Sequence, residues 1–215
     1  MGDPKGIGPE VVAKAICDPA VARLARFVVY GQNQLLVDAA ERANLRPLWF
    51  RVAKEGLASQ RGVAAEPVVI DYGHEDALPR EHAPSRAGGL LSKAFVEDAI
   101  TDALRPAGDP RRLDAVVTGP ISKESWSMGG FRWPGHTELF AARCKAAHHT
   151  MLFESPRLRV ALATAHMPLM DVRNVLTIGK VFDPIELGAG HCRRLGIDRP
   201  RVAVCGLNPH AGENG

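Results

Sequence analysis

The chain has 215 residues with 27 basic and 24 acidic side chains, which gives a formal net charge of +3. Apolar residues make up 46% and charged residues 24% of it, a balance typical of a globular protein with one large or two small domains. Basic side chains are spread in pairs such as Arg111–Arg112, and no apolar run approaches membrane-spanning length. The composition argues against nucleic-acid-binding and membrane-spanning proteins and is compatible with an anionic small-molecule substrate.

The cysteines and the amino-terminal residues bear on the cellular compartment. Cys17, Cys144, Cys192 and Cys205 form no CxxC pair, and no signal-peptide pattern precedes them. The sequence therefore predicts a cytoplasmic protein whose cysteines are reduced, partly buried thiols.

Apolar strand-like runs alternate with helical stretches along the chain, which predicts an α/β fold. The first helix is predicted to begin at about Glu10, because Pro9 suits a first helical turn and Glu10 complements the helix dipole. The next predicted elements are a strand at 27–30, a helix at 34–43, a strand at 67–70 and an amphipathic helix at 88–104.

Three later strands are predicted to present polar residues at their carboxyl ends. The first, 113–117, runs into Thr118-Gly119-Pro120. The second, 158–164, is followed by His166, and the third, 201–205, is followed by Asn208-Pro209-His210. Sites in doubly wound α/β proteins lie at such strand ends.

Both ends of the chain differ from those of a complete doubly wound α/β protein. A Gly-rich loop normally follows a strand in such folds, yet the loop at residues 2–6 follows only Met1. The chain stops at Gly215 within another Gly-rich loop, soon after His210. The sequence predicts a fragment that lacks its first strand and its carboxyl-terminal part.

The junction Gly135-His136-Thr137-Glu138 is a candidate anion site. A His and a Thr at a helix start can hydrogen-bond an anionic ligand together with free backbone N–H groups. The alternative is that Thr137 is an ordinary N-cap and His136 a surface residue. Spacing alone leaves both interpretations open.

His166 and His210 are candidate metal ligands. Two imidazoles on neighbouring strand ends bind a divalent metal when a carboxylate or a third His completes the site. The alternative is two ordinary loop histidines. The chain contains neither a P-loop nor a GxGxxG fingerprint, so a nicotinamide cofactor would bind by another architecture.

Five ordered segments resemble the 4-hydroxythreonine-4-phosphate dehydrogenase family of pyridoxal phosphate synthesis. They are GDPKGIGPE (2–10), VVTGPISK (116–123), GHTE (135–138), LRVALATAHMPL (158–169) and CGLNPHAGE (205–213). The resemblance implies an isocitrate/isopropylmalate-dehydrogenase-like fold of two α/β/α domains with the active site between them. We expect an incomplete first domain at 1–125, an incomplete second domain at 126–215, and a homodimer.

The resemblance also implies an activity and its residues. The family oxidises 4-phosphooxy-L-threonine with NAD or NADP and a divalent metal (Zn, Mg or Co), and the product then loses carbon dioxide. On this sequence His136 and Thr137 match the substrate-binding positions, and His166 and His210 match metal ligands. The family's third metal His, a lysine, an asparagine and an arginine that bind its substrate, and much of its cofactor site have no counterpart here, and no catalytic residue is assigned.

Three other interpretations stay open. The first two are a related dehydrogenase of a phosphorylated sugar acid and a related dehydrogenase of a cis-dihydrodiol. The third interpretation is an inactive remnant, because the predicted fragment holds only part of the site.

Overall fold

The computed structural model describes residues 1–59, 67–73 and 82–213, and the α/β class is confirmed. The helices are α1 Gly8–Cys17, α2 Pro19–Ala22, α3 Asn33–Arg42, α4 Arg86–Ala103, α5 Lys123–Met128, α6 His136–Arg143, α7 Val172–Val175 and α8 Ile178–Arg194. The strands are β1 Val28–Gly31, β2 Phe50–Ala53, β3 Val68–Asp71, β4 Leu152–Glu154 and β5 Arg159–Ala161, with 3-10 turns at Lys54–Ser59 and Leu169–Asp171.

The chain forms two compact units, Met1–Cys144 and Lys145–Gly215. The domain boundary expected after residue 125 falls inside α5, a continuous helix of the first unit. The division of the whole protein into domains stays a prediction.

The first unit is built on a parallel sheet with the strand order β1-β3-β2. The central strand β3 is deeply buried, with Val69 and Ile70 almost fully inaccessible to solvent. Helices α1, α3 and α4 cover the sheet, with Ala13, Leu36 and Phe95 in its core. The strands predicted at 27–30 and 67–70 and the helices predicted at 34–43 and 88–104 are confirmed to within two residues.

A second apolar cluster of the same unit lies where α4 meets α5 and α6. Val96, Ile100, Trp126 and Leu139 are its buried members. This cluster positions the amino-terminal end of α6, which carries the candidate anion site.

The second unit contains an antiparallel pair, β4 and β5, beside the long helix α8. His191 on α8 lies 2.6 Å from Glu154 of β4, and Arg159 of β5 donates to the same carboxylate at 2.7 Å. The strand predicted at 158–164 is confirmed, although the observed strand β5 is shorter.

Two predicted strands, 113–117 and 201–205, are wrong, although the structure describes both segments throughout. A strand needs a neighbour for its backbone hydrogen bonds. A large cavity is lined both by β1 and by residues 110–120, so 113–117 does not pair with β1. Residues 201–205 are exposed at every position and pair with no strand among the described residues.

The cysteines differ in part from the prediction. All four are free thiols, as expected for reduced cysteines. Cys17 and Cys192 are partly buried, but Cys144 and Cys205 are exposed, because they lie in a helix-capping turn and in the unpaired segment 201–205. Among the helices of the described residues, none has the length and apolar content needed to cross a bilayer.

Candidate functional site

Three of the sequence motifs meet at one cavity of the first unit. The cavity has a volume of about 1010 Å³, and its wall includes Met1 and Gly2, residues 118–120 and His136. The remaining wall is largely apolar and includes side chains of α1, of the three strands β1–β3 and of α4, together with residues 110–117. The segments 2–10, 116–123 and 135–138 are far apart in sequence, so the fold, not local spacing, brings them together.

The first two motifs touch through glycines. The φ angle of Gly2 is +87°, and an added Cβ there would lie 2.3 Å from the carbonyl oxygen of Pro120. An added Cβ at Gly119 would lie 2.2 Å from the carbonyl oxygen of Met1. Only glycine permits so close an approach of the two backbone segments. A hydrogen bond from Asp3 N to Pro120 O (2.8 Å) stabilises the contact.

The buried carboxylate of Asp3 connects the loop at residues 2–6 to the helices α4 and α5. The side chain is 4% exposed and accepts hydrogen bonds from Lys5 N (2.9 Å) and Ser125 Oγ (2.9 Å). Ser125 Oγ in turn accepts from Ser85 N, next to the start of α4, at 3.1 Å. These hydrogen bonds form a network that holds the loop at residues 2–6, the start of α4 and the helix α5 together.

The candidate anion site lies at the amino-terminal end of α6. The helix begins at His136 with Gly135 as N-cap, and no side chain of the residues that the structure describes caps its first turn. The alternative in which Thr137 is the N-cap is therefore wrong, because Thr137 already lies within the helix. His136 is not a surface residue either, since it is half-buried against the ring of Trp126. Thr137 is exposed.

Burial lowers the pKa of His136 below its ordinary value of 6.5. The imidazole is therefore neutral at pH 7. A neutral imidazole offers one N–H donor and one acceptor nitrogen, so His136 can contact an anionic group by a hydrogen bond and not as a cation.

The two candidate metal ligands lie in the second unit. His166 follows β5 in a left-handed backbone conformation, with a φ angle of +55°, and is exposed. His210 is exposed in the turn after residues 201–205. Among the described residues, no group of three or more His, Cys, Asp or Glu side chains is arranged to hold a metal ion. The structure does not join His166 and His210 to a third ligand.

His210 has a feature typical of metal ligands. Its Nδ1 lies 2.6 Å from Glu213 Oε1, so Nε2 is the ring nitrogen that could bind a metal ion. A carboxylate that holds the second ring nitrogen orients a metal-binding imidazole. The donors present therefore fit a divalent ion in kind but provide fewer ligands than the three that catalytic zinc sites use.

Sequence reasoning missed three contributors to these sites. Asp3 had no recognisable signal, because its partner Ser125 is distant in sequence. Trp126 was also without a signal, since its contact with His136 depends on how α5 packs. Glu213 was detectable, because it lies three residues after His210, within reach of the same turn.

The comparisons with known proteins agree with these motifs. The family model described as "Pyridoxal phosphate biosynthetic protein PdxA" matches residues 23–215. A 4-hydroxythreonine-4-phosphate dehydrogenase of Synechococcus sp. is 36% identical, with 100% of this chain and 62% of the relative covered. A D-threonate 4-phosphate dehydrogenase of Cupriavidus necator is 35% identical over 100% of this chain and 62% of its own length. The chain thus spans about three-fifths of these relatives.

Solved structures give the same assignment. A 4-hydroxythreonine-4-phosphate dehydrogenase from Burkholderia phymatum matches with a TM-score of 0.80 and 33% identity, over 100% of this chain and 63% of that one. A terephthalate 1,2-cis-dihydrodiol dehydrogenase from Burkholderia xenovorans shares the fold alone, with a TM-score of 0.62, 24% identity and coverage of 100% and 62%. The chain therefore belongs to the PdxA family of pyridoxal phosphate biosynthetic proteins.

Proposed function

We propose that this chain carries the phosphate-binding end of the active site of an NAD(P)- and divalent-metal-dependent dehydrogenase. Its substrate is 4-phosphooxy-L-threonine, which is oxidised at the 3-hydroxyl and then decarboxylated in pyridoxine 5'-phosphate synthesis. The observation that carries the proposal is the placement of His136 in the cavity wall, at the start of a helix that no side chain caps. The names of the relatives support the substrate class.

The residues of this chain contribute chiefly to binding. The first-turn N–H groups of α6 point outward from a positive helix end, which favours a phosphate. The Thr137 hydroxyl and the neutral His136 imidazole add hydrogen bonds, so the phosphate is fixed in place. The fixed phosphate orients the rest of the substrate for loss of a hydride and a proton from its hydroxyl carbon and oxygen.

The metal of the proposed reaction would be held by His166 and His210. A bound divalent ion supplies Lewis-acid polarisation of the substrate oxygen. Glu213 supports His210 through the 2.6 Å contact with its Nδ1. The further ligand that such a site needs is not among the described residues of this chain.

A second substrate is favoured by one observation. The relative from Cupriavidus necator, at 35% identity, is named for D-threonate 4-phosphate. That molecule carries the same phosphate and differs by a hydroxyl in place of the amine. The site proposed around His136 binds the shared phosphate and does not distinguish the hydroxyl from the amine.

We further propose a cytoplasmic homodimer that uses its second unit for association. Several large apolar side chains of that unit are more than half exposed. They include Phe153, Leu158, Leu169, Met170 and Ile178. Exposed apolar side chains in such number favour a protein partner.

Turnover of the candidate substrates tests the proposed function. The purified chain is mixed with a divalent metal and NAD or NADP, and formation of the reduced cofactor is followed with 4-phosphooxy-L-threonine, D-threonate 4-phosphate or a cis-dihydrodiol. We expect a phosphorylated substrate to react, and His136→Ala to raise its KM by about tenfold, because a hydrogen bond to a charged group is lost. His149→Ala, an exposed histidine of the second unit, is the control. Faster turnover of the dihydrodiol, or none by the folded, metal-loaded chain, would contradict the proposal.

Metal binding gives a separate prediction. Titration of the 215-residue chain with zinc is expected to show weaker binding by at least tenfold for His166→Ala and His210→Ala, because each variant loses one of two ligands. Glu213→Gln should weaken binding by about 10- to 100-fold, the usual cost of losing a partner of a metal ligand. The histidine control is again His149→Ala. Equal affinities for all four variants would exclude His166 and His210 as ligands.

A further inference from the structure

The ring of His136 is held by aromatic contacts. Its centroid lies 5.5 Å from that of Trp126, with an interplanar angle of 83°, which is an edge-to-face arrangement. Phe140, one turn further along α6, lies 6.4 Å away in a tilted arrangement. Among the hydrogen bonds of the described residues, none involves the His136 ring. The orientation of the imidazole therefore depends on its neighbouring rings.

Trp126 is itself firmly anchored. The side chain is 1% exposed, and its Nε1–H donates to Ser92 Oγ at 2.9 Å. Ser92 in turn donates to the carbonyl oxygen of Gly89, one turn earlier on α4, at 3.1 Å. Phe131 packs edge-to-face on the indole from another side, with centroids 6.1 Å apart. The indole cannot rotate without breaking a buried hydrogen bond and two ring contacts.

The anchoring of Trp126 and its contact with His136 together determine the orientation of the imidazole. An anchored, buried indole contacts an imidazole that has no polar anchor of its own. The ring nitrogens of His136 stay available to a ligand in the cavity, while the packing of Trp126 fixes the plane of the ring. Such support of a ligand-contacting side chain is what preorganises a binding site.

We propose that Trp126 is a positioning residue that fixes the His136 ring for contact with the substrate phosphate. This inference rests on the proposed function for its substrate, but the positioning of the ring is a property of the free protein. Ser92 is the part of the arrangement that holds Trp126 in its orientation. The anionic group recognised is a phosphate monoester.

Two substitutions test this inference. Trp126→Phe keeps an aromatic ring but removes the hydrogen bond to Ser92, and Ser92→Ala removes the anchor while every ring stays in place. Trp133→Phe is the matched control, because Trp133 packs against the same apolar cluster but is not among the rings that contact His136 in the described part of the chain. Thermal unfolding establishes whether each variant is folded. If Trp126→Phe does not fold, Ser92→Ala still tests the inference.

The first measurement is the NMR signal of the His136 ring protons in the free chain. An indole edge-to-face with an imidazole shifts these signals, so Trp126→Phe and Ser92→Ala should move or broaden them, and Trp133→Phe should not. The second is steady-state kinetics with 4-phosphooxy-L-threonine. KM should rise by about two- to tenfold, the equivalent of one aromatic pair, with kcat within about twofold.

The two measurements separate the possible failures. Unchanged His136 signals in both variants would overturn the positioning role, whatever the kinetics show. An equal effect of Trp133→Phe would also overturn it, because the change would then reflect general loosening of the cluster. Shifted signals without turnover in any protein would leave the positioning role supported and count against the proposed function alone.

Discussion

Asp102→Ala should destabilise the first unit by about 3 kcal/mol, because it leaves buried partners without a counter-charge. The carboxylate is 4% exposed and accepts hydrogen bonds from Tyr30 Oη (2.6 Å), Arg105 Nε (2.6 Å) and Arg111 Nη2 (3.0 Å). Arg105 and Arg111 are 28% and 31% exposed, so water stabilises them in part after the substitution. That exposure keeps the expected loss at the lower end of the range for buried pairs.

The same carboxylate predicts a pH dependence. Burial alone would raise the pKa of Asp102, but the hydrogen bonds from Tyr30, Arg105 and Arg111 outweigh burial and hold the pKa below its usual 3.8. A depressed carboxylate pKa stabilises the folded state above the unfolded-state value of about 3.9, and that stability is lost as the pH falls through the folded-state pKa. The stability difference between the wild type and Asp102→Ala should therefore be constant near neutral pH and narrow below about pH 4.

Asp98→Ala is the matched control for this prediction. Asp98 lies one turn earlier on α4 and also accepts from a tyrosine and a lysine, Tyr72 and Lys54, but its side chain is 41% exposed. Its loss should cost less than about 1 kcal/mol, as for surface ion pairs. Urea unfolding followed by tryptophan fluorescence measures both variants. Equal losses for Asp98→Ala and Asp102→Ala would show that burial does not decide the cost.

Two of the three strands of the first unit's parallel sheet, β1 and β3, were accessible to sequence reasoning because their signals are local, whereas β2 was not predicted. Residues 27–30 and 67–70 are short apolar runs, and 88–104 has a helical apolar period. Each of these elements also finds its partners within the described residues, so local preference and tertiary packing agree.

The strand predictions at 113–117 and 201–205 failed for the opposite reason. Both segments have apolar, strand-like sequences, but strand formation depends on a neighbour that local sequence does not specify. Val117 is 90% exposed, and Val204 is 60% exposed. An apolar pattern thus predicts the tendency to form a strand, while the sheet edge available to it decides the outcome.

The candidate site was predicted in part for similar reasons. The position of His136 at a helix start follows from the local Gly-His-Thr-Glu pattern, and the structure has that helix start. The burial of its ring against Trp126 follows from the packing of α5 on α4, which no spacing in the sequence encodes. Candidate ligand-binding side chains are therefore easier to predict than the side chains that pack against them.

Gly89→Ala should destabilise the first unit by about 3 kcal/mol, although alanine favours a helix interior over glycine by about 1 kcal/mol. An added Cβ at Gly89 would lie 1.9 Å from the carbonyl oxygen and 2.5 Å from the carbonyl carbon of Ser125. These atoms are backbone, so no rotamer change relieves the clash, and α4 and α5 must separate. Because Trp126 follows Ser125 on α5, the separation should also displace the indole from Ser92 and from His136.

Urea unfolding with tryptophan fluorescence and the His136 ring signals together measure this effect. Gly56→Ala is the control in the same unit, because an added Cβ there meets no heavy atom of the described residues within 4 Å. Its stability should stay within about 0.5 kcal/mol of the wild type, the usual range for surface substitutions. A stable Gly89→Ala variant with unchanged His136 signals would show that α4 and α5 can move apart without cost. The close packing of these helices would then not be what holds Trp126 against the site.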